Sequence, residues 1–171
     1  IKLNQRSLLV TYHPETLGIN GISDDVSELL TALDLMDQTT ICFTMPNADN
    51  DSSQIIEKIQ KYVCNRNDTY FFKSLGQQKY YSCLNVFDAV VGNSSSGLLE
   101  APTFKIPTIN IGKRQSGRLK ADSVIDCRPK SKEIKQAIDN AFSKKFQSKL
   151  QHTKNPYGEG GAAKKIKEIL E

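Results

Sequence analysis

The sequence predicts an α/β fold, a parallel sheet with helices on both faces. Three observations predict it. Short apolar runs of strand length alternate with segments whose apolar residues recur at helical spacing. Each of the leading runs is apolar enough to be a strand buried on both faces. Polar, turn-forming and cationic residues then gather where those strands end, the edge at which parallel sheets bind ligands.

Ser7–Tyr12 reads as the first strand, ending at His13-Pro14. Asp24–Leu35 carries Val26, Leu29, Leu30 and Leu33 at helical spacing, with Ser23 or Asp24 as a possible cap. Thr39–Thr44 is short and β-branched, hence a strand, and stops at Met45-Pro46-Asn47. Ser52–Val63 places Ile55, Ile56, Ile59 and Val63 on one helical face. Thr69–Phe72 is a third strand, and Gln77–Asn85 a helix with Tyr80, Tyr81 and Leu84 as its apolar side. Ala89–Val91 is a fourth strand running into Gly92–Gly97, and a helix is expected over Gly97–Phe104. Pro107–Ile111 and Ser123–Asp126 complete the strands. Lys132–Phe146 reads as one helix, and a last helix covers Gly161–Leu170 after the turn at 155–158.

Composition narrows the function. With 171 residues the chain is expected to be one domain, large enough to hold a core without disulfides or a structural metal. The charge of +4, from 23 basic and 19 acidic residues, is too small to predict a nucleic-acid binder. No run approaches the ~18 apolar residues of a membrane span. Cys42, Cys64, Cys83 and Cys127 form no CxxC pair, which argues against zinc and for reduced cysteines in a cytoplasmic protein. Without a secretory signal the Asn67 and Asn93 triplets are read as chance. The chain opens on Ile1 and not methionine, which predicts a fragment or a processed chain.

The strongest local signal is Gly92-Asn93-Ser94-Ser95-Ser96-Gly97 between a buried strand and a helix. Helix starts expose unpaired N–H groups, small residues admit an anion to the backbone, and hydroxyls add donors. The pattern suits a diphosphate; it equally suits a plain serine turn in which Ser94 or Ser95 caps the helix. It is neither a Walker A loop nor GxGxxG. Glu100, about one turn on, can accept from vicinal ribose hydroxyls or merely sit in solvent. Arg114, flanked by Lys113 and followed by Arg118, offers a guanidinium to phosphate or a solvated basic loop. His13 can donate to phosphate, move a proton, or be structural. Glu15 and Glu100 do not define an acid–base pair, and His152 has no assigned role. Asn155–Gly161 is a loop with a helix start or a second anion-accepting helix start.

Four motifs together, VTYHPET (10–16), GNSSSGLLEAP (92–102), PTINIGKRQSGR (107–118) and NPYGEGGAAKKI (155–166), resemble the carboxyl-terminal half of UDP-N-acetylglucosamine 2-epimerases. The Asn-Ser-Ser-Ser form resembles the hydrolysing branch. The resemblance implies a Rossmann-like domain, one half of a two-domain GT-B fold, with the amino-terminal domain absent. It implies that Ser94 and Ser95 hold the diphosphate, Glu100 the ribose, and Arg114 the phosphate charge. It further implies His13 as the catalytic group beside the phosphates or sugar, Asn47 near the sugar, and the Leu75 backbone facing the uracil. No cofactor and no metal are expected; UDP, a UDP-N-acetylhexosamine and, at full length, a homodimer are. The reaction implied is loss of UDP to a 2-acetamidoglucal, then addition of water to give N-acetylmannosamine. A non-hydrolysing epimerase, a GT-B glycosyltransferase half and a non-catalytic sensing module stay as alternatives.

Overall fold

The computed structural model describes residues 1–14, 22–47 and 52–171. Six strands form one wholly parallel sheet: β1 (Arg6–Thr11), β2 (Thr39–Thr44), β3 (Thr69–Phe72), β4 (Ala89–Gly92), β5 (Thr108–Ile111) and β6 (Val124–Cys127). Their order is β3-β2-β1-β4-β5-β6. From β1 the chain winds outward through β2 to β3, then returns to the other side of β1 with β4. The helical segments after β1 and β4 therefore pack on opposite faces of the sheet, and a crevice lies at the carboxyl ends of these two strands. The helices are α1 (Ile22–Asp34), α2 (Ser52–Cys64), α3 (Gly76–Val86), α4 (Ser96–Leu99), α5 (Ser131–Ala141), α6 (Lys144–Leu150) and α7 (Ala162–Leu170).

Strand side chains alternate between two cores because successive Cβ atoms point to opposite faces. Leu8, Val10, Ile41, Phe43 and Val91 face Val26, Leu29 and Leu33 of α1, Ile55 and Ile59 of α2, and Ile134 and Ile138 of α5. Leu9, Cys42 and Val90 face the smaller cluster with Leu84, Phe87, Ala101 and Ile106. Both faces are covered, which is why Leu8–Val10, Ile41–Phe43 and Ala89–Val91 are uninterrupted apolar runs. Burial pushes the Cys42 and Cys127 thiols up to about 12, so neither is a ready nucleophile.

Four sequence expectations are corrected. The helix expected over 97–104 is a single turn, α4, followed by a 3-10 turn at Ala101–Phe104, because Pro102 brings no N–H to continue an α-helical ladder. The helix expected over 132–146 breaks at Phe142. Ser143 turns extended and its hydroxyl accepts from the Phe146 N–H at 3.2 Å, starting α6 afresh. Helix α1 begins at Ile22, so Ser23 and Asp24 lie inside it instead of capping it. Tyr12 falls just beyond β1. Glu15, with the end of the 10–16 motif, lies outside the described residues.

Two glycines carry the close approach beneath the crevice. Gly92 has φ +135°, and a Cβ there would stand 1.9 Å from the Thr11 carbonyl oxygen. A Cβ on Gly97 would lie 2.5 Å from Thr108 Cγ2, a side chain whose hydroxyl donates to the Gly97 carbonyl. Gly92→Ala is therefore expected to cost more stability than Gly97→Ala, about 3 kcal/mol or more against about 1–3. Urea midpoints of the two variants check this; equal midpoints would show that the backbone contact at Thr11 is not the tighter one.

Candidate functional site

Parallel register places Thr11 opposite Gly92, so the residues following β1 and β4 meet at the crevice. Asn93 is fully buried there and binds in every direction. Its N–H donates to the Thr11 carbonyl at 3.2 Å. Its Oδ1 accepts from the His13 N–H at 2.7 Å, and its Nδ2 donates to the His13 carbonyl at 2.9 Å. Its own carbonyl accepts from Gln115 Nε2 at 2.7 Å and Arg114 Nη1 at 3.3 Å. His13 Nδ1 in turn accepts from the Asn47 N–H at 3.1 Å, a bond that assigns the imidazole proton to Nε2. Four loops, after β1, β2, β4 and β5, are thus tied by one cluster.

Beside it lies a cleft of about 350 Å³, lined by Thr44, Lys73, Leu75, Gln77, Tyr80 and Glu100 among others. Leu75 lies just before α3, followed by Gly76 at φ +64°. The Tyr80 hydroxyl and Ser96 Oγ share a hydrogen bond of 2.6 Å. Burial pushes the Tyr80 phenol up to about 12, with the Glu100 charge adding to the shift against the Ser96 bond, so the ring stays neutral and can donate. Glu100, just past the end of α4, lines this cleft, and Ser96 at the start of α4 holds the Tyr80 hydroxyl of its wall.

Ser94 and Ser95 span the short stretch between the Asn93 cluster and the cleft, both half-buried. Ser95 occupies the cap position of α4, but its side chain makes no cap hydrogen bond. The Ser94 hydroxyl accepts from the Ser96 N–H at 3.4 Å, a long contact. Neither hydroxyl is consumed by strong capping. Because α4 has four residues, its macrodipole is slight; Glu100 sits at its end, not one turn into a longer helix. Local N–H groups and hydroxyls, not a helix dipole, are what the segment offers an anion.

The remaining expected residues fall around this centre. Arg114 is exposed at the rim, and Lys113 and Arg118 are exposed beside it. Asn47 uses its backbone, its N–H on His13 and its carbonyl accepting from Ser52, while its side chain is exposed. Asn155 donates to the Leu99 carbonyl and to Thr103 Oγ1, each at 2.8 Å, and the Tyr157 hydroxyl donates to the Leu119 carbonyl at 3.1 Å. That loop braces α4 and the Arg114 loop. His152 is exposed. Among the described residues no group of three His, Cys, Asp or Glu side chains could hold a metal, and no helix is long and apolar enough to cross a membrane.

Sequence reasoning passed over Asn93, Gln115 and Tyr80. Asn93 was read only within the Gly92–Gly97 segment and a chance triplet, with no role of its own, Gln115 carried no charge to notice, and Tyr80 counted as an apolar helix position.

A family model described as UDP-N-acetylglucosamine 2-epimerase matches residues 1–171. A Campylobacter jejuni protein named GDP/UDP-N,N'-diacetylbacillosamine 2-epimerase (hydrolyzing) is 40% identical over 148 residues, covering 85% of this chain and 38% of that protein. Polysialic acid biosynthesis protein P7 of Escherichia coli is 37% identical over 156 residues, covering 91% of this chain and 40% of that protein. The chain thus spans about 40% of the length of these curated relatives. Among solved structures, an S. aureus MnaA–UDP complex superposes with a TM-score of 0.76 at 16% identity, over 96% of this chain and 44% of that one. That likeness shows the shared fold. With the family model matched from end to end, the chain belongs to the UDP-N-acetylglucosamine 2-epimerase family.

Proposed function

We propose that this chain is the UDP-binding, carboxyl-terminal domain of a hydrolysing UDP-N-acetylglucosamine 2-epimerase. A second Rossmann-like domain of the same polypeptide forms the opposite wall of the cleft, and the full-length enzyme is a cytoplasmic homodimer. The observation that carries the reading is the convergence of Glu100, Leu75 and Tyr80, the last held by Ser96, on one cleft, next to the His13–Asn93–Arg114 cluster. The relatives named as hydrolysing 2-epimerases support the reaction class.

Uracil stacks into the cleft beside the Leu75 backbone, where Gly76 leaves the main chain open to approach. Glu100 accepts from the ribose hydroxyls. Ser94 and Ser95 donate to the diphosphate, and Arg114 offsets its charge. His13, with its ring proton on Nε2, is assigned to the leaving oxygen. As the C1–O bond breaks, UDP takes the bonding electrons, and donors held in place stabilise the charge it gains. A base of the second domain removes the C2 proton, which leaves a 2-acetamidoglucal. Water then adds its oxygen to C1, and a proton returns to C2 from the other face. The sum is UDP-N-acetylglucosamine plus water giving N-acetylmannosamine plus UDP.

A second substrate has a specific observation behind it. Two relatives, from Campylobacter jejuni and Legionella pneumophila, are named for N,N'-diacetylbacillosamine. Turnover of the full-length enzyme on each UDP-sugar decides between them. With either substrate in deuterated, oxygen-18 water, the free sugar is expected to carry one deuterium at C2 and the heavy oxygen at C1. A product retaining UDP would instead identify the non-hydrolysing branch, and acceptor-dependent transfer a glycosyltransferase.

Ser95→Ala and Glu100→Gln in the full-length enzyme are each expected to weaken UDP about 10- to 100-fold by calorimetry, the loss of one charge-assisted hydrogen bond. Undiminished affinity in both would remove the α4 segment from the site. His13→Asn is expected to lower kcat about 10²- to 10⁴-fold while UDP affinity stays within about threefold. Unchanged kcat in a steady-state assay would deny His13 its role.

A further inference from the structure

We propose that Asn93, held from behind by Gln115, is the residue pair that positions His13. The proposal rests on the catalytic reading of His13 given above. Asn93 Oδ1 and Nδ2 clasp the N–H and the carbonyl of His13 in both directions, at 2.7 and 2.9 Å. That two-point bond fixes the main chain at His13, and with it the direction in which the side chain leaves. The Asn47 N–H on Nδ1 then sets the ring rotation and the tautomer.

Gln115 is 1% exposed. Its amide orientation is dictated by chemistry: the Asn93 carbonyl can only accept, so the NH2 faces it at 2.7 Å. The Gln115 Oε1 is then buried without a donor among the described residues. A methionine would fill the space without stranding an acceptor. Gln115 is thus suited to its one bond, which steadies the Asn93 peptide. Arg114 shares the same acceptor, so the group that meets phosphate and the group that holds His13 hang from a single carbonyl. A misplacement of His13 by about 1 Å suffices to cost ~100-fold in rate.

The test uses the full-length enzyme with Gln115→Met, which deletes the amide, and Gln115→Glu, which keeps the shape but turns an acceptor toward the Asn93 carbonyl. Turnover of UDP-N-acetylglucosamine is expected to fall about 10- to 100-fold in kcat, with KM and UDP affinity within about threefold. In parallel, nitrogen-15 spectra of labelled histidine, with His13 assigned through His13→Asn, are expected to show the Nε2–H tautomer alone in the parent and a tautomer mixture in both variants. Should one variant fail to fold, the other carries the test. Parent-like kcat and parent-like His13 nitrogen shifts in a folded variant would overturn the proposal. Should His13→Asn itself turn over normally, the catalytic reading fails on its own, and the nitrogen shifts alone decide whether the pair holds the ring.

Discussion

The architecture of the site depends on how closely β1 and β4 run at their carboxyl ends. Gly92 admits the Thr11 carbonyl to a distance that a side chain would forbid, and the chain emerges with Asn93 buried against the residues that follow β1. From that contact Asn93 reaches His13, and through Gln115 and Arg114 it reaches the loop after β5. Loops at a sheet edge are ordinarily the loosest part of an α/β domain. Here a fully buried amide with its polar atoms matched ties them, and such a network rigidifies because each unmade bond would be costly. The Asn155–Tyr157 loop adds a second brace from the outside.

The proposed function divides recognition and chemistry between two neighbouring places. The cleft beside α3 is partly apolar and holds the neutral Tyr80 phenol with Glu100 nearby, a setting fitted to a flat base and a ribose. The His13–Asn93–Arg114 cluster is polar and offers donors. Ser94 and Ser95 connect the two, and the proposed function assigns them the diphosphate that links nucleoside to sugar. A four-residue α4 lends little dipole, so binding strength in this account comes from individual donors and not from a helix.

Strand positions and sheet class were legible because the apolar runs are short, β-branched and buried on both faces, as with Thr39–Thr44. The helix breaks were harder. Apolar spacing carries through Phe142, so nothing in the periodicity announces that Ser143 would cap a new helix. Pro102 was visible, yet its consequence, a 3-10 turn in place of a longer helix, depended on the neighbouring geometry. For the site, charged or hydroxyl-bearing residues such as Arg114 and Ser95 stood out, and the structure gathers them at one edge. Asn93, Gln115 and Tyr80 stayed hidden because their roles come from burial and from partners far along the chain, 80 residues away in the bond between Asn93 and His13. Pattern alone does not carry that information.

Diffraction from the full-length enzyme crystallised with UDP tests the central claim most directly. The diphosphate is expected within hydrogen-bond distance of the Ser94 and Ser95 hydroxyls, with the ribose on Glu100 and the uracil against Leu75. UDP seated elsewhere, such as the cleft between Arg6, Met36 and Lys135 at the opposite end of the sheet, would contradict it.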